Sequence, residues 1–310
     1  MESKDLKRVI GLKVDVDTFD GMRKGVPNLL RLFKKYNIQA SFFVPMGKDN
    51  TGRTVKRVFL KKGFLKKAGR VGVLNTYGFK TLMYGLLLPG PEIAQVNASL
   101  LKTIGEEGHE VGIHGLDHVY WHDHIKMLSK EKTNRILEKA CSTYNEIFKK
   151  PPLSFAAPGW MINSHALHFF EEHGFVYTSD TRGYSPFFPV MDNKRFNILQ
   201  IPTTLPTLDE VVGVGGNDAR SLKTFFINRL RDGLNILTVH TELEGKRWAE
   251  FLELFIENTL ERGYAYKRLI DIAEEWQQAE KIAACTVSYG YIEGRAGEVS
   301  LQKPEKQNGT

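Results

Sequence analysis

The chain has 310 residues, of which 42% are hydrophobic and 25% charged, a composition typical of a globular protein with one large or two ordinary domains. Its formal net charge is only +7. The two cysteines, Cys141 and Cys285, lie far apart and outside any paired motif, which favours a reducing compartment over a disulfide framework. We expect neither a secretory signal nor a membrane-spanning helix, because no suitable apolar run occurs. The sequence thus predicts a cytoplasmic protein, either free in the cytoplasm or lying on a membrane surface.

Strand-like and helix-like segments alternate from the start of the chain. Residues 8–16 are apolar and β-branched, Val26–Tyr36 has helical spacing with a proline in its first turn, and 40–44 is a second short strand. The later predicted elements, in chain order, are a helix over 91–107, a strand over 109–113, a helix over 129–150, a strand over 153–157, a helix over Ser164–Glu172, strands over 174–179 and 197–201, a loop over 203–216, a helix over 219–231, a strand over 234–239, a helix over 246–262, a strand over 264–266 and a helix over 268–278. This alternation predicts an α/β fold, a distorted (β/α)7-type barrel of parallel strands.

We expect a single domain over residues 1–280 and a flexible C-terminal tail over 281–310, which contains many Gly, Lys and Gln residues. One stretch, 50–90, interrupts the alternation as an insertion. Between residues 51 and 70 it has eight lysines or arginines and no acidic residue, with apolar residues interleaved. It is either a solvated basic helix with an apolar stripe or a basic amphipathic helix resting on anionic lipid. Binding of nucleic acid is a third alternative that rests on the charge alone, and because no nucleic-acid-binding motif accompanies the charge, no nucleic-acid partner is expected.

Polar and aromatic side chains follow the predicted strands, at the point where each strand ends. In a β/α barrel the carboxyl ends of the strands form one rim, and that rim carries the active site. We therefore expect these side chains to lie close together. They are Asp15 and Asp17 after the first strand, His114 and then His118 after the third, Trp160 after 153–157, Asp180 and Arg182 after 174–179, and His240 after 234–239.

His114 and His118 are four residues apart, in a segment that holds five of the nine histidines. On one turn of helix or a helix-like loop, this spacing lets both imidazoles bind one metal ion. With a carboxylate from Asp15 or Asp17 they would form a site with an open coordination position, as catalytic metal sites do. The alternatives are a His-rich surface loop for the histidines and helix capping for the aspartates. His240 is either a satisfied core histidine or a functional acid.

These residues, in this order, resemble the polysaccharide deacetylase (NodB-homology) family of metal-dependent amide hydrolases. The matching motifs span residues 14 to 240, nearly the whole predicted domain. In the third of them, Ala156 stands where the family has an arginine. The motifs are Val-Asp-Val-Asp-Thr-Phe at 14–19, His-x-x-x-His at 114–118, Ala-Ala-Pro-Gly-Trp at 156–160, Ser-Asp-Thr-Arg at 179–182 and Leu-Thr-Val-His at 237–240.

The resemblance implies roles for the residues of these motifs. Asp17, His114 and His118 would hold a divalent metal ion, and Zn, Mn and Co all suit such a donor set. Asp15 would act as the general base and His240 as the general acid, although the residues alone leave open whether Asp15 and Asp17 exchange roles.

Three further residues are expected to bind the substrate or to support the site, namely Trp160, Asp180 and Arg182. In the family, the arginine that is missing at Ala156 helps to orient the base, and Arg182 is the predicted substitute. Trp160 could equally be an ordinary core aromatic residue, because nothing in its spacing separates a core position from a pocket wall.

A narrower resemblance is to a group of deformylases within the family, which shares the replacement of arginine by alanine. It rests on Asp-Val-Asp-Thr-Phe-x-Gly at 15–21, Ile-Pro-x-Thr-Leu-Pro-Thr-x-Asp-Glu-Val at 201–211 and His-x-Glu-x-Glu-Gly at 240–245. The resemblance implies removal of formate from 4-deoxy-4-formamido-L-arabinose linked to undecaprenyl phosphate, at the cytoplasmic face of the inner membrane. That step serves lipid A modification and resistance to polymyxin and cationic peptides. The basic stretch would then attach a peripheral protein to the anionic membrane surface.

Two other functions stay open at this point. One is N-deacetylation of another amino sugar, as in chitin-like or peptidoglycan chains, and the expected lack of a secretory signal argues against it. The other is non-catalytic binding of a lipid or sugar by a protein that kept the barrel, and the intact set of aspartates and histidines argues against that.

Overall fold

The computed structural model describes residues 8–54, 79–279 and 281–304. Most of the predicted basic insertion, residues 55–78, therefore lies outside the described residues. The described strands are β1 (Arg8–Asp15), β2 (Ser41–Val44), β3 (Glu110–Ile113), β4 (Ser154–Phe155), β5 (Tyr177–Thr178), β6 (Phe188–Met191), β7 (Lys194–Arg195), β8 (Leu199–Gln200), β9 (Gly233–His240), β10 (Ala265–Lys267), β11 (Ala284–Gly290) and β12 (Val299–Pro304).

Eight parallel strands form one curled, open sheet at the centre of the fold. β1 pairs with β9 along its whole length, with β10 near its start and with β2 near its end. From β2 the order continues through β3, β4 and β5 to β8. Beyond β8 the chain approaches β9, where the amides of Thr204 and Leu205 donate to the carbonyl oxygen of Ile236. The predicted α/β fold with a distorted barrel is confirmed. The sheet is curled, and β8 and β9 are not joined by a continuous strand ladder.

The helices pack their apolar faces against the sheet. α1 buries Val26, Leu29 and Phe33 in the same core as β1. α1 and α7 have the predicted bounds, and Asn163 caps α7 by accepting a hydrogen bond from the amide of Ala166. Among the described helices, none combines the length and apolar character needed to cross a membrane. They are α1 (Val26–Tyr36), α2 (Phe79–Met83), α3 (Ile93–Val96), α4 (Ala98–Glu106), α5 (His118–His124), α6 (Lys130–Phe148), α7 (Ser164–Glu172), α8 (Leu208–Val211), α9 (Ala219–Ile227), α10 (Ala249–Glu261) and α11 (Leu269–Gln277).

β1 is enclosed on both faces, and every residue after Arg8 is buried. Such a strand reads as a nearly continuous apolar run, because helices and neighbouring strands cover both faces of a parallel sheet. Gly11 allows close packing, since a Cβ at this position would come within 2.6 Å of Ile236 Cδ1. Lys13 is the one charged residue inside this apolar run, although it is buried like its neighbours. The strand ends in Asp15 at the carboxyl edge of the sheet.

At the amino edge of the sheet, the buried carboxylate of Glu110 is well supplied with donors. It accepts hydrogen bonds from the hydroxyls of Ser41, Ser154 and Tyr177 and from the amide of Ile270. Burial raises the pKa of Glu110 despite these donors. The network connects β2, β3, β4, β5 and α11, so this edge has a structural role.

Two local predictions differ from the structure because polar side chains redirect the backbone. The predicted helix over 91–107 is two helices, α3 and α4, which meet at Asn97. The Asn97 side-chain amide donates to the carbonyl oxygen of Ile93 at 2.7 Å. The predicted loop over 203–216 contains α8, which begins with a reciprocal capping box between Thr207 and Glu210.

The C-terminal part of the chain is folded, so the expectation of a flexible tail over 281–310 is wrong for residues 284–304. β11 pairs antiparallel with β12 and parallel with β6, which gives a four-stranded sheet in the order β12-β11-β6-β7. Cys285 and Val287 alternate along β11, and both belong to the main hydrophobic core. This is the pattern of a half-buried strand, which the surrounding glycines and polar residues obscure.

Replacing Val287 tests whether the C-terminal strands belong to the cooperative fold. Val287→Asp puts an unpaired carboxylate into the core, and we expect it to lower the free energy of unfolding by about 3 kcal/mol. Tyr291→Asp is the control, because Tyr291 is 74% exposed and its replacement should leave stability unchanged. Thermal and urea unfolding measure both variants. A Val287→Asp variant as stable as the wild type would contradict this assignment of the tail to the core.

Candidate metal centre

Three side chains converge at the carboxyl edge of the sheet. One ligand atom from each of Asp17, His114 and His118 lies within 4.8 Å of the others. Asp17 Oδ1 is 3.4 Å from His114 Nε2 and 3.3 Å from His118 Nε2. The structure therefore brings together the three residues that the sequence predicted as metal ligands.

His114 directly follows β3, and its ring is held in one orientation. Its Nδ1 lies 2.8 Å from the carbonyl oxygen of Ala156, and since a carbonyl only accepts, Nδ1 carries the proton. When the ring is a metal ligand, its Nε2 lone pair would then face Asp17. A histidine whose second nitrogen donates to a carbonyl is the usual arrangement for a metal ligand.

His118 is the first residue of α5, so the two histidines do not share one helical turn. Gly115, with a φ of 77°, starts the turn between them. Asp117 then caps α5 by accepting from the amide of Tyr120 at 2.9 Å, and it also accepts from the Asn50 side chain at 2.6 Å. The loop and cap return the chain to the sheet edge, which brings the His118 ring beside Asp17.

Glu242 supports the backbone that carries Asp17, a role that the sequence analysis missed. Its Oε1 accepts from the amides of Asp17 and Thr18 and from the Thr18 hydroxyl. Burial, with the negative charge of Asp17 adding to it, raises the pKa of Glu242 to about 7. Gly21 leaves room for this carboxylate, since a Cβ there would lie 1.9 Å from Glu242 Oε1. The only sequence signal was the acidic run after β9.

Asp15 lies beside the three candidate ligands and is paired with a lysine. Lys13 Nζ donates to Asp15 Oδ2 at 2.6 Å, and both side chains are buried. The expectation that Arg182 substitutes for the missing arginine beside the base is wrong. The Arg182 guanidinium instead donates to Glu210 at 2.6 Å and to the Leu205 carbonyl oxygen at 2.9 Å.

His240 ends β9 directly beside Asp15, since the two residues are register partners on adjacent strands. Its amide donates to Glu244 at 2.9 Å, and within the described residues its Nδ1 has no hydrogen-bond partner. Burial by itself would lower the pKa of His240, but the carboxylates of Asp17, Asp209 and Glu244 together raise it above its ordinary value. The arrangement favours a protonated imidazole at the sheet edge.

The three predicted supporting residues lie near the candidate centre and contact different neighbours. They are Trp160, Asp180 and Arg182. The Trp160 ring centroid lies 6.4 Å from that of His240, and Arg182 lies 5.0 Å from the Trp160 ring centroid. Asp180 is buried and bonded to Gln200, and burial raises the pKa of Asp180 to about 6. Trp160 is thus both a buried aromatic residue and a neighbour of the predicted acid.

Arg295, in the loop between β11 and β12, contacts two residues near the candidate centre, Trp160 and Glu210. Its guanidinium lies 4.5 Å from the Trp160 ring centroid, and its Nη1 is 3.7 Å from Glu210. The sequence analysis did not predict this contact, because it treated the segment that contains Arg295 as a flexible tail. No motif marks Arg295, because its position depends on the antiparallel pairing of β11 with β12.

The donor set fits a divalent metal ion. Asp17 Oδ1 is buried and has no hydrogen-bond partner in the described part of the chain, although two imidazole nitrogens lie close to it. A lone pair facing a carboxylate oxygen at this distance is repulsive unless a cation lies between them. Two imidazoles and one carboxylate suit Zn, Mn or Co and leave coordination positions open.

Comparison with known proteins identifies the family. The family described as polysaccharide deacetylase matches residues 4–178, more than half of the chain. The chain belongs to the polysaccharide deacetylase family. A crystal structure of a candidate polysaccharide deacetylase from Mycobacterium smegmatis has the same fold, with a TM-score of 0.61 and 18% identity over 94% of this chain and 98% of that one.

Two curated relatives within the family align with almost the whole chain. A protein from Shewanella sediminis is 34% identical over 94% of both chains, and one from Wigglesworthia glossinidia brevipalpis is 32% identical over 91% of this chain and 98% of its own. Both are named probable 4-deoxy-4-formamido-L-arabinose-phosphoundecaprenol deformylase ArnD.

Metal binding to this member of the polysaccharide deacetylase family can be measured directly. Replacing His118 by alanine removes one of three donors, so we expect affinity for Zn, Mn or Co to fall by about 100-fold or more. His124→Ala is the matched control, because His124 bonds to the Tyr120 carbonyl oxygen and stacks on the Tyr120 ring. Isothermal titration and metal analysis of purified protein provide the readout. Equal losses in both variants would argue against the site.

Proposed function

We propose that the protein is a metal-dependent hydrolase that removes the formyl group from undecaprenyl-phosphate-linked 4-deoxy-4-formamido-L-arabinose and releases formate. The proposal is supported by one observation above all, the grouping of Asp15, Asp17, His114, His118 and His240 at a single edge of the sheet. The two relatives named as deformylases support the choice of substrate. The product amine would serve lipid A modification and resistance to polymyxin and cationic peptides.

Asp17, His114 and His118 would hold the metal ion, whose identity among Zn, Mn and Co is left to experiment. When bound, such an ion supplies a polarised formyl oxygen and an activated water. Two imidazoles and one carboxylate would leave coordination positions of such an ion open for water and the formyl group. Glu242 keeps Asp17 in place by accepting hydrogen bonds from the backbone amides of Asp17 and Thr18.

Asp15 and His240 would move the protons of the reaction. Asp15 accepts a proton from the attacking water while the water oxygen forms its bond to the formyl carbon. His240 then donates a proton to the sugar nitrogen as the carbon–nitrogen bond breaks, so that the products are formate and an amine. The raised pKa of His240 favours the protonated imidazole that this step requires. Because the two residues are register partners on β1 and β9, base and acid lie side by side at the sheet edge where the formyl group would bind.

The proposed substrate is carried by a membrane lipid, which requires contact with the cytoplasmic surface of the inner membrane. The segment Tyr84–Leu88 exposes three leucines, and Leu87 is 78% exposed. This segment packs on the loop that carries Asn50, which in turn donates to Asp117 beside His118. Exposed leucines next to the candidate centre, together with the eight basic residues between 51 and 70, favour peripheral binding to anionic lipid.

A mass-spectrometric assay on the lipid-linked formamido-sugar tests the proposed function. Wild-type protein loaded with Mn, Co or Zn should release one formate per sugar, and a chelator should stop the release. Asp15→Ala should keep its metal and lose turnover by a factor of about 10²–10⁴ or more, because the base is absent.

The N-acetyl analogue of the same lipid is the matched substrate control. Faster hydrolysis of the acetyl than of the formyl compound would replace deformylation by deacetylation as the function. Full activity of Asp15→Ala with bound metal would remove Asp15 from the mechanism. Metal binding without turnover of either lipid would support a non-catalytic protein.

Charge reversal of the leucine segment tests the membrane contact. Leu87→Asp should weaken binding to vesicles of phosphatidylglycerol and phosphatidylethanolamine, because an aspartate opposes both apolar insertion and the anionic surface. Leu153→Asp is the control, since Leu153 is 45% exposed and precedes β4 at the opposite edge of the sheet. Co-sedimentation with vesicles measures both variants. Equal binding by the two would exclude the segment as a lipid contact.

A further inference from the structure

Lys13 is a charged residue inside the most enclosed strand of the protein. It is 0% exposed, and it lies two residues before Asp15, so the two side chains point to the same face of β1. The Lys13 ammonium donates to Asp15 Oδ2 at 2.6 Å. Lysine is almost never fully buried without a partner, because removing its charge from water costs several kcal/mol. A well-packed apolar pair would stabilise a strand at least as well, so stability by itself does not account for this ion pair.

Aromatic rings and a second carboxylate define the surroundings of the ammonium. Lys13 Nζ lies 5.0 Å from the Trp160 ring centroid and 5.9 Å from that of Phe43. These rings attract a cation through their faces and exclude water from it. Asp180 is close enough for the charge of Lys13 to oppose the burial that raises the pKa of Asp180. The ammonium is therefore enclosed, and its position is determined by packing.

The two oxygens of Asp15 have different environments. Oδ2 receives the hydrogen bond from Lys13, whereas Oδ1 is buried and has no hydrogen-bond partner in the described ranges. His240 lies across from Asp15 as its register partner on β9. One oxygen is thus held while the other stays available, which is what a general base needs to accept a proton in a defined direction.

We propose that Lys13 is a positioning residue for the reaction, which holds Asp15 Oδ2 and thereby directs Asp15 Oδ1 at the attacking water. This proposal rests on the proposed function, in which Asp15 is the base. Among the residues that the structure describes, the Lys13 ammonium bonds to Asp15 and not to the candidate metal ligands. Its contribution is to restrict the rotation of the Asp15 carboxylate, so it acts on the chemical step and leaves substrate binding unchanged.

Three substitutions at Lys13 separate positioning from packing. Lys13→Met keeps the length and apolar stem, and we expect it to lower kcat by about 100-fold with an unchanged KM, because Asp15 is no longer oriented. Lys13→Arg restores a charged donor and should recover most of the lost kcat. Lys13→Gln restores a neutral donor and should recover less than arginine. Lys35→Met is the control for loss of a lysine–carboxylate pair, since Lys35 pairs with Glu253 on the helical surface.

Metal content, melting temperature and crystal structures accompany the kinetics. All variants should bind metal as the wild type does. In crystals, the Asp15 carboxylate should turn away from its wild-type position in Lys13→Met and return to it in Lys13→Arg. Wild-type kcat in a folded Lys13→Met variant overturns the proposal. So does a loss of kcat in Lys13→Met that arginine leaves uncorrected.

The crystal structures distinguish failure of this proposal from failure of the proposed function. If the wild type does not hydrolyse the formamido-sugar lipid, the proposed function is wrong, and the position of Asp15 still decides the role of Lys13. An Asp15 carboxylate that keeps its wild-type position in Lys13→Met then overturns the positioning role. An active wild type together with that unchanged position overturns only the role of Lys13.

Discussion

Several ionisable groups lie at the carboxyl edge of the parallel sheet with little access to water, where an isolated charge would cost several kcal/mol. Three of them, Asp15, Glu242 and Glu244, are compensated by specific neighbours. Asp15 is paired with Lys13, and Glu242 accepts from backbone amides and a hydroxyl. Glu244 accepts from the His240 amide. The Glu242 bonds join the end of β9 to the residues that follow β1, so compensation of this buried charge helps to fix two strand ends of the candidate site against each other.

The two edges of the sheet illustrate the difference between structural and functional burial of polar groups. Glu110 at the amino edge receives four donors and ties five elements together. At the carboxyl edge, Asp15 Oδ1, Asp17 Oδ1 and His240 Nδ1 have no hydrogen-bond partner among the residues described. Native proteins leave few buried polar atoms unsatisfied, and a group of them at one place indicates a ligand or a reacting molecule. The proposed metal ion, water and amine would bind to these atoms.

The predicted site residues are in part confirmed as neighbours and in part reassigned. Spacing and position at strand ends were sufficient to predict that an aspartate would meet His114 and His118, because parallel strands end at one edge. The choice of Asp17 over Asp15 came from the family resemblance. The same reasoning failed for Arg182, whose direction depends on the capping box around Glu210. It also passed over Lys13, since a lysine inside an apolar run gives no sign of its partner until the strand is folded.

The sequence by itself determined the alternation of strands and helices, the family and the set of candidate ligands, because periodicity and motif order are properties of the chain. Only the tertiary structure decided which charges meet. The Lys13 ammonium reaches Asp15 because the two share the face of an enclosed strand, and Arg295 reaches Trp160 because β11 pairs with both β6 and β12. Contacts between residues far apart in sequence follow from packing and from the compensation of buried charge, which local patterns do not encode.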